Sequence, residues 1–113
     1  MNSPLEQVQE YRAALIAAGI RAVVDARDVN PPAVQIRPPV LHYRFGRGCY
    51  AADWEAYVYL PDTGTEQVLK AALPLLDQVQ TALNGVVTTA TPTGFPLADG
   101  GTAAGYTLTW STH

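Results

Sequence analysis

The chain has 113 residues, a net charge of −3, 48% apolar residues and 15% charged residues. Its length suits one domain, and its acidic balance argues against a general nucleic-acid-binding module. Charged residues usually make up about a quarter of a globular domain, so the low charge content predicts that some surface is hidden, and self-association is one way to hide it.

A first helix is predicted over residues 4–18. Ser3 can cap this helix, Pro4 suits its first position, and Glu6 can complete a capping box. Gly19 is expected to end it in the left-handed conformation. The apolar residues at helical spacing are Leu5, Val8, Ala14, Leu15, Ile16 and Ala18.

Short strands are predicted next, at 20–24 and at 33–37, separated by a polar loop. Pro31-Pro32 and Pro38-Pro39 bracket the second of these strands. Proline lacks an N–H and is confined to strand starts, edges and bulges, so we expect a rigid edge strand here. Residues 41–45 and 54–60 alternate in polarity and predict a β-hairpin that turns at 46–48.

The second half predicts another helix, whose apolar residues recur at helical spacing from Leu69 to Gly85. Thr63 and Glu66 offer a second capping box, and Pro74 predicts a kink or a division into two segments. A strand at 86–90, a flexible loop at 92–101 and a final strand at 106–111 follow. This order predicts a single α+β domain over residues 1–113, a mostly antiparallel sheet with two amphipathic helices packed on one face.

Cys49 is the only cysteine, which excludes an intramolecular disulfide and a cysteine-based zinc site. A reducing compartment is the natural expectation. The N-terminus has no basic stretch followed by an apolar core, so we expect no signal peptide. No apolar run approaches the roughly 20 residues of a membrane-spanning helix.

Residue types used in catalysis are sparse. Cys49 and His42 lie on opposite sides of the predicted hairpin and could act as nucleophile and base, but no second acid is placed to orient the histidine. Paired carboxylates could bind a metal or divide acid and base roles. A solvated loop and strand surface explains them more simply, so no catalytic, cofactor or metal site is predicted. The carboxylates concerned are Asp25, Asp28, Asp53 and Glu55.

Aromatic residues cluster in the predicted hairpin. Trp54 is out of phase with Tyr57 and Tyr59, so one face of the hairpin is expected to be core and the other to contact a second subunit. Arg44 and Arg47 place two positive charges at the hairpin tip, which suits contact with passing nucleic acid or an acidic partner. The whole aromatic set is Tyr43, Phe45, Tyr50, Trp54, Tyr57 and Tyr59.

The order of elements carries a resemblance to a known family. An N-terminal helix, an Asp-rich loop with a Pro-Pro pair, a Trp-bearing strand ending at Pro61, a Leu-rich helix over 68–83 and a closing Gly105–Trp110 strand follow one another. Over nearly its whole length the chain thus resembles the small tail terminator, or tail completion, proteins of long-tailed bacteriophages, particularly those of actinobacterial hosts. The resemblance rests on order and length, with no catalytic motif.

This resemblance implies a structural protein without enzymatic activity or cofactor. Such proteins form a hexameric ring that caps the tail tube, ends tube polymerisation and joins the head-side connector or stopper protein, while DNA passes through the central channel without sequence-specific binding. The acidic net charge suits such a channel, because phosphate neutralisation is what makes DNA binding tight. The expected location is the head-proximal end of the virion tail, after assembly in the host bacterial cytoplasm, with no membrane contact.

Two groups of residues are expected to serve this assembly. The subunit or tail-tube interface is predicted at Tyr43, Tyr57, Tyr59, Pro38 and Pro39. The channel or hairpin tip is predicted at Arg44 and Arg47.

Two alternatives stay open. Another neck component, such as a head–tail connector or head-closure protein, differs from a terminator in its position in the particle. A small ligand- or metal-binding α+β enzyme would use the region of Asp25, Asp28, His42 and Asp53. The enzyme hypothesis predicts a monomer or dimer with a concave pocket.

Overall fold

The structure is a computed structural model, and it describes residues 3–25, 32–43, 50–61, 64–96 and 102–112. Within these ranges six strands form one sheet in the order β1–β2–β4–β6–β5, and β3 also pairs with β4. Only β1 and β2 are parallel, so the predicted α+β class with a mostly antiparallel sheet is confirmed. The elements are α1 (Pro4–Ala17), β1 (Ala22–Val23), β2 (Ala33–Ile36), β3 (Val40–Tyr43), β4 (Tyr50–Pro61), α2 (Thr65–Ala82), β5 (Thr89–Pro96) and β6 (Thr102–Thr112).

Both helices pack on the same face of the sheet, which we call the inner face. The inner core joins Val8 and Leu15 of α1 and Val79 and Leu83 of α2 to alternate residues of the strands. No described helix covers the opposite, outer face. Along β4 the predicted division of side chains is confirmed, because Trp54 belongs to the inner core whereas the tyrosines at 57 and 59 belong to a separate outer cluster.

The ends of α1 follow the sequence signals. The Ser3 hydroxyl accepts a hydrogen bond from the Glu6 N–H at 3.2 Å. Gly19 has a φ of +82°, and the N–H groups of Gly19 and Ile20 donate to the carbonyls of Ile16 and Leu15. This pair of bonds is the Schellman motif, which satisfies carbonyls that the helix end leaves without partners.

The apolar stripe predicted for α1 was wrong in part. Leu5 is 68% exposed and Ile16 is 48% exposed. Val8, Tyr11 and Leu15 face the sheet instead. These three residues are spaced three and four positions apart, which places them on one side of a helix, so the buried stripe is narrower than the sequence suggested.

α2 is one helix from Thr65 to Ala82 with Pro74 inside it, so it is not divided into two segments, and the alternative of a kink at Pro74 stays a prediction. Its N-cap is Gly64, which makes no side-chain capping bond, and the capping box predicted for Thr63 and Glu66 stays a prediction. Glycine is tolerated at an N-cap because its flexible backbone leaves the first N–H groups open to solvent. Thr63 lies outside the described residues.

The apolar residues predicted for α2 divide into a buried group and an exposed pair. Ala72, Val79 and Leu83 are buried, whereas Leu69 is 41% exposed and Leu73 is 57% exposed. At 100° per residue the exposed pair lies at one margin of the buried arc. The sheet does not extend far enough to cover that margin.

The proline-bracketed strand is not an edge strand, so that expectation was wrong. β2 pairs with β1 on one side and with β4 on the other. All four of its residues are buried. The second proline pair, Pro38-Pro39, lies between β2 and β3, which follow one another along the same edge of β4.

The register shows what this second proline pair does. Ile36 pairs with Ala56, and Val40 pairs with Asp53. Four steps along one strand therefore match three steps along β4. The two prolines together oppose the single residue Trp54, which is the arrangement of a β-bulge.

The predicted hairpin is confirmed by the pairing of β3 with β4, which runs from Val40 opposite Asp53 to Tyr43 opposite Tyr50. Its turn at 46–48 lies outside the described residues. The strand predicted at 86–90 and the loop predicted at 92–101 were misplaced, because β5 runs from Thr89 to Pro96. Pro92 is tolerated inside β5, since β5 is the last strand in the described sheet order.

Candidate interaction surfaces

Three rings hold α1 on the inner face, and we call them the inner aromatic cluster. Trp54 and Trp110 are cross-strand partners on β4 and β6, with ring centres 6.2 Å apart and nearly parallel planes. Tyr11 of α1 meets both indoles edge-on, at 5.1 Å and 5.4 Å. The Trp110 Nε1–H donates to the Tyr11 hydroxyl at 3.3 Å, so the helix is joined to the sheet by packing and by a hydrogen bond.

The outer face carries a second cluster, formed by Tyr57, Tyr59 and Phe95, which we call the outer aromatic cluster. Phe95 of β5 lies 5.0 Å from the Tyr57 ring and 4.6 Å from the Tyr59 ring of β4. Tyr59 is 6% exposed and Phe95 is 7% exposed, although no described helix covers this face. Aromatic rings on the outer face therefore reach from β4 to β5 across β6, the strand between them.

Small residues on β6 allow that contact. Tyr59 is opposite Gly105, and Phe95 is opposite Ala103. A Cβ added to Gly105 would overlap the carbonyl oxygen of Val58 and would approach the Phe95 ring to 3.4 Å. Glycine is thus required at 105 by the close approach of two backbones, and the rings cover the gap that it leaves.

The buried side-chain amide of Gln35 connects the outer aromatic cluster to the chain that follows β1, at one end of the strand order. The Tyr59 hydroxyl donates to Gln35 Oε1 at 2.6 Å, and Gln35 Nε2 donates to the Val24 carbonyl at 3.3 Å. Gln35 is 2% exposed, so these bonds are needed to satisfy its polar atoms. Burial raises the pKa of the Tyr59 hydroxyl.

Tyr57 forms the more accessible side of the outer aromatic cluster. Its hydroxyl bonds to the Glu55 carboxylate, which, together with burial, raises the pKa of Tyr57. The Arg37 guanidinium lies 5.7 Å from the centre of the Tyr57 ring, a cation–π distance. Tyr57 is therefore held on both sides by residues of the same chain.

A polar cluster lies at the other end of the outer face. His42 Nε2 is 2.7 Å from Asp53 Oδ2, and the Ser111 hydroxyl donates to Asp53 Oδ1 at 2.7 Å. The carboxylate thus lies between the histidine and the serine. General-base activation of a serine needs the histidine beside the hydroxyl, so this order does not assemble a nucleophile. The three side chains instead join β3, β4 and β6.

The structure places the residues predicted at an interface in different settings. Tyr43 ends β3 and is 73% exposed. Pro38 is exposed and Pro39 is half-buried at the bulge. Tyr57 and Tyr59 belong to the outer aromatic cluster, where Tyr59 has little area left for another contact. Their contact with a second subunit stays a prediction, and Arg44 and Arg47 lie outside the described residues.

The residues of the enzyme hypothesis are only partly described. Asp25 is exposed and lines an open concavity of about 650 Å³ with Arg12, Gln35 and Arg37 among its neighbours. Asp28 and Cys49 lie outside the described residues. Across the parts of the chain that the structure covers, no group of three or more His, Cys, Asp or Glu side chains is arranged to hold a metal ion.

Exposed apolar side chains occur at two opposite edges of the sheet. Val40 and Tyr43 of β3 lie at one edge, at 59% and 73% exposure. Leu69 and Leu73 of α2 lie towards the β5 edge. Sequence reasoning assigned these leucines to the core, because helical spacing identifies an apolar side but cannot tell how much of it a neighbouring strand covers.

In the described ranges no helix is long and apolar enough to cross a membrane. In comparisons with known proteins, no family model matches the chain, and no curated protein matches it at a significant level.

Proposed function

We propose that this protein is a ring-forming structural component of a phage tail, a tail terminator. The observation that carries the proposal is the large apolar surface left on a small domain of low charge. Isolated exposed apolar residues are normal, but seven large ones among the described residues of a domain with 15% charged residues favour coverage by other subunits. The seven are Leu5, Ile16, Val24, Val40, Tyr43, Leu69 and Leu73.

The shape of the subunit is compatible with a ring wall. The domain measures 48 × 29 × 22 Å, with α1 and α2 on one face of the sheet and no described helix on the other. Flat subunits placed edge to edge can close around an axis when the two edges are complementary. In that arrangement one face of every subunit is directed towards the channel and the other towards the outside.

The outer face offers a polar surface beside its aromatic cluster. Thr91 lies opposite Thr107, and Thr89 opposite Thr109. The Thr93 hydroxyl lies 2.8 Å from that of Thr107, so neighbouring hydroxyls already satisfy one another. These threonines carry no charge, which suits a weak contact with DNA or with the end of a tail tube.

The direct test is the mass of the purified full-length chain, measured by light scattering behind a sizing column over a range of concentrations. Negative-stain images of the main species, alone and with purified tail tubes, complete it. We expect hexameric rings in solution, or rings that appear at the ends of added tubes. A chain that stays monomeric at every concentration and ignores the tubes would overturn the proposal.

The same experiment separates a terminator from another neck component. Purified connector rings are added in place of tail tubes. A terminator is expected to cap tubes, with or without connector binding. Rings that bind connectors but never tubes would identify a connector-side neck protein instead.

A further inference from the structure

An apolar groove lies on the inner face, where the first turns of α2 pass the β5 edge. Its volume is about 500 Å³. Leu69 forms one rim, and Leu73 extends the apolar surface along the next turn. The side chains and backbone that line the groove, which we call the α2–β5 groove, come from Val68, Leu69, Pro92, Gly94, Ala104 and Tyr106.

The β5 edge beside this groove has few backbone donors for a partner strand. The Thr88 N–H and hydroxyl both donate to the Thr109 carbonyl, so this carbonyl is directed towards β5. Backbone groups alternate in direction along a strand, so the nitrogens of Pro92 and Pro96 are directed to the open side, where neither can donate. The geometry of this edge therefore favours a partner that binds by side chains in the groove over one that extends the sheet.

A matching apolar side chain lies at the opposite edge of the sheet. Tyr43 is 73% exposed, the highest value among the exposed large apolar side chains of the described residues. It is two residues from Leu41, which packs on the inner core, so Tyr43 lies on the inner-face side of β3. Tyrosine combines a large apolar body with a polar tip, which is why it often anchors protein interfaces.

The groove and Tyr43 lie on the same side of the sheet but at diagonally opposite corners. The groove is level with Leu60, opposite Ala104, near the end of β4, whereas Tyr43 is opposite Tyr50 at its start. Two copies displaced along that diagonal therefore bring Tyr43 of one to the groove of the next, and a rotation between neighbouring copies is what lets such a contact close into a ring. Contacts between different patches of identical chains repeat around a ring.

We propose that Tyr43 of one copy inserts into the α2–β5 groove of the next copy and is the anchor of a heterologous subunit interface. The inference rests on the proposed ring-forming function, and it adds which surfaces meet and in what orientation. The occupant of the groove is a second copy of this chain because the chain itself carries the exposed aromatic anchor on the matching side. The two copies contribute different surfaces to this interface, since Tyr43 of one copy meets the groove of the other and not the other copy's Tyr43.

Site-specific photo-cross-linking tests the contact while keeping an aromatic ring at the anchor. Position 43 is replaced by p-benzoylphenylalanine (Tyr43→benzoylphenylalanine), and the variant is mixed with isotope-labelled wild-type chain before irradiation. Mass spectrometry is expected to find cross-links from the variant to labelled peptides of α2 and β5 that line the groove. Leu5→benzoylphenylalanine is the control, because Leu5 is 68% exposed on α1 and should not label the groove.

A second pair of variants tests the groove without disturbing the fold. A side chain at Gly94 would meet no atom within 4 Å of its Cβ, so Gly94→Trp can fill the groove. We expect this variant and Tyr43→Ala each to raise the dissociation constant of the interface at least about thirtyfold, as for a central aromatic anchor. Gly94→Ala should assemble like wild type, and all three should keep the wild-type far-UV spectrum.

The outcomes separate this inference from the proposed function. Rings without labelling of the groove, or full assembly of Gly94→Trp, would overturn the Tyr43 contact and leave the ring proposal standing. A chain that never assembles, even on tail tubes, would overturn both. Labelling of the groove with impaired assembly of the two variants supports both.

Discussion

The inner and outer aromatic clusters bury rings in two different ways. The inner cluster is closed by a helix, because Tyr11 of α1 packs edge-on against the stacked indoles of Trp54 and Trp110. The outer cluster is closed by strands alone, because Phe95 reaches Tyr59 above a glycine. One face therefore depends on a separate element packing against it, and the other depends on small residues within the sheet.

This difference implies different roles in stability. The inner cluster connects α1 to the two longest strands of the sheet, so its loss should affect global folding. The outer cluster connects the edge strand β5 to β4, so its loss should first loosen one edge. Four predictions test this comparison, in order of decreasing effect.

Truncation of the inner cluster should cost most. Trp110→Ala removes the stacked ring and the bond to Tyr11, and we expect a loss of about 4–5 kcal/mol in the free energy of unfolding. Phe95→Ala, the matched outer variant, should lose about 3 kcal/mol, since a single ring at an edge strand is removed. Urea unfolding followed by circular dichroism measures both. An equal or larger loss for the outer variant would contradict the proposed division of roles.

Gly105→Ala tests the small-residue support of the outer cluster. The added methyl would overlap the Val58 carbonyl oxygen, so β4 and β6 must separate or bend. We expect a loss of about 2–3 kcal/mol in unfolding free energy, within the usual range for overpacking. Gly94→Ala is the control, since its methyl meets nothing within 4 Å. Equal stability of the two variants would show that the backbones are not closely constrained at 105.

Tyr59→Phe tests the buried hydrogen bond beneath the outer cluster. The variant keeps the ring but leaves Gln35 Oε1 buried without its donor. We expect a loss of about 1–2 kcal/mol in unfolding free energy. Tyr57→Phe should lose less, because Tyr57 and Glu55 are only half-buried and water can take the place of the lost donor. A double variant with Gln35→Leu should recover part of the Tyr59→Phe loss, and failure to recover would point to packing instead.

High pH should weaken the outer cluster selectively. The pKa values of Tyr57 and Tyr59 are raised above the ordinary 10.0 in the folded chain, by the bond to Glu55 and by burial respectively. Near and above pH 10 the unfolded chain therefore binds fewer protons than the folded one. The associated stability is fully present below that pH and is lost as the pH rises through the folded pKa values.

Urea midpoints on either side of that pH measure this effect. The wild-type chain should lose stability above the ordinary tyrosine pKa, and Tyr59→Phe should lose less because one of the two shifted groups is absent. Parallel losses in the two proteins would assign the alkaline effect to other groups.

The two aromatic clusters differ in how far the sequence predicts them. The alternation of Trp54 with Tyr57 and Tyr59 correctly assigned aromatic rings to both faces, because side chains of a strand alternate without exception while the strand is regular. Tyr11 was missed because it lies between charged neighbours, and only the fold shows that its position completes a stripe with Val8 and Leu15. Helix ends at Ser3 and Gly19 were predictable because capping depends on local chemistry.

The candidate surfaces were less predictable than the fold. Leu69 and Leu73 lie on an apolar side of α2, but which part of that side a strand covers depends on the width of the sheet. Pro92 indicated a loop, because proline in a strand is tolerated only at an edge and the edge position of β5 depends on the order of pairing. Gln35 gave no signal at all, since its burial depends on a tyrosine 24 residues further along the chain.

The bulge at Pro38-Pro39 has a consequence for the length of the chain. Because four steps from Ile36 to Val40 match three steps along β4, the connection contains one residue more than the hydrogen-bonding register needs. A chain lacking either proline could pair β2 and β3 with β4 as one uninterrupted ladder. The residues of β2 and β3 would keep their present register partners on β4, and their side chains would stay on the same faces of the sheet. The extra residue therefore contributes to the curvature of the strand and to the outline of this part of the domain. Deleting one proline would change that outline and leave the fold the same.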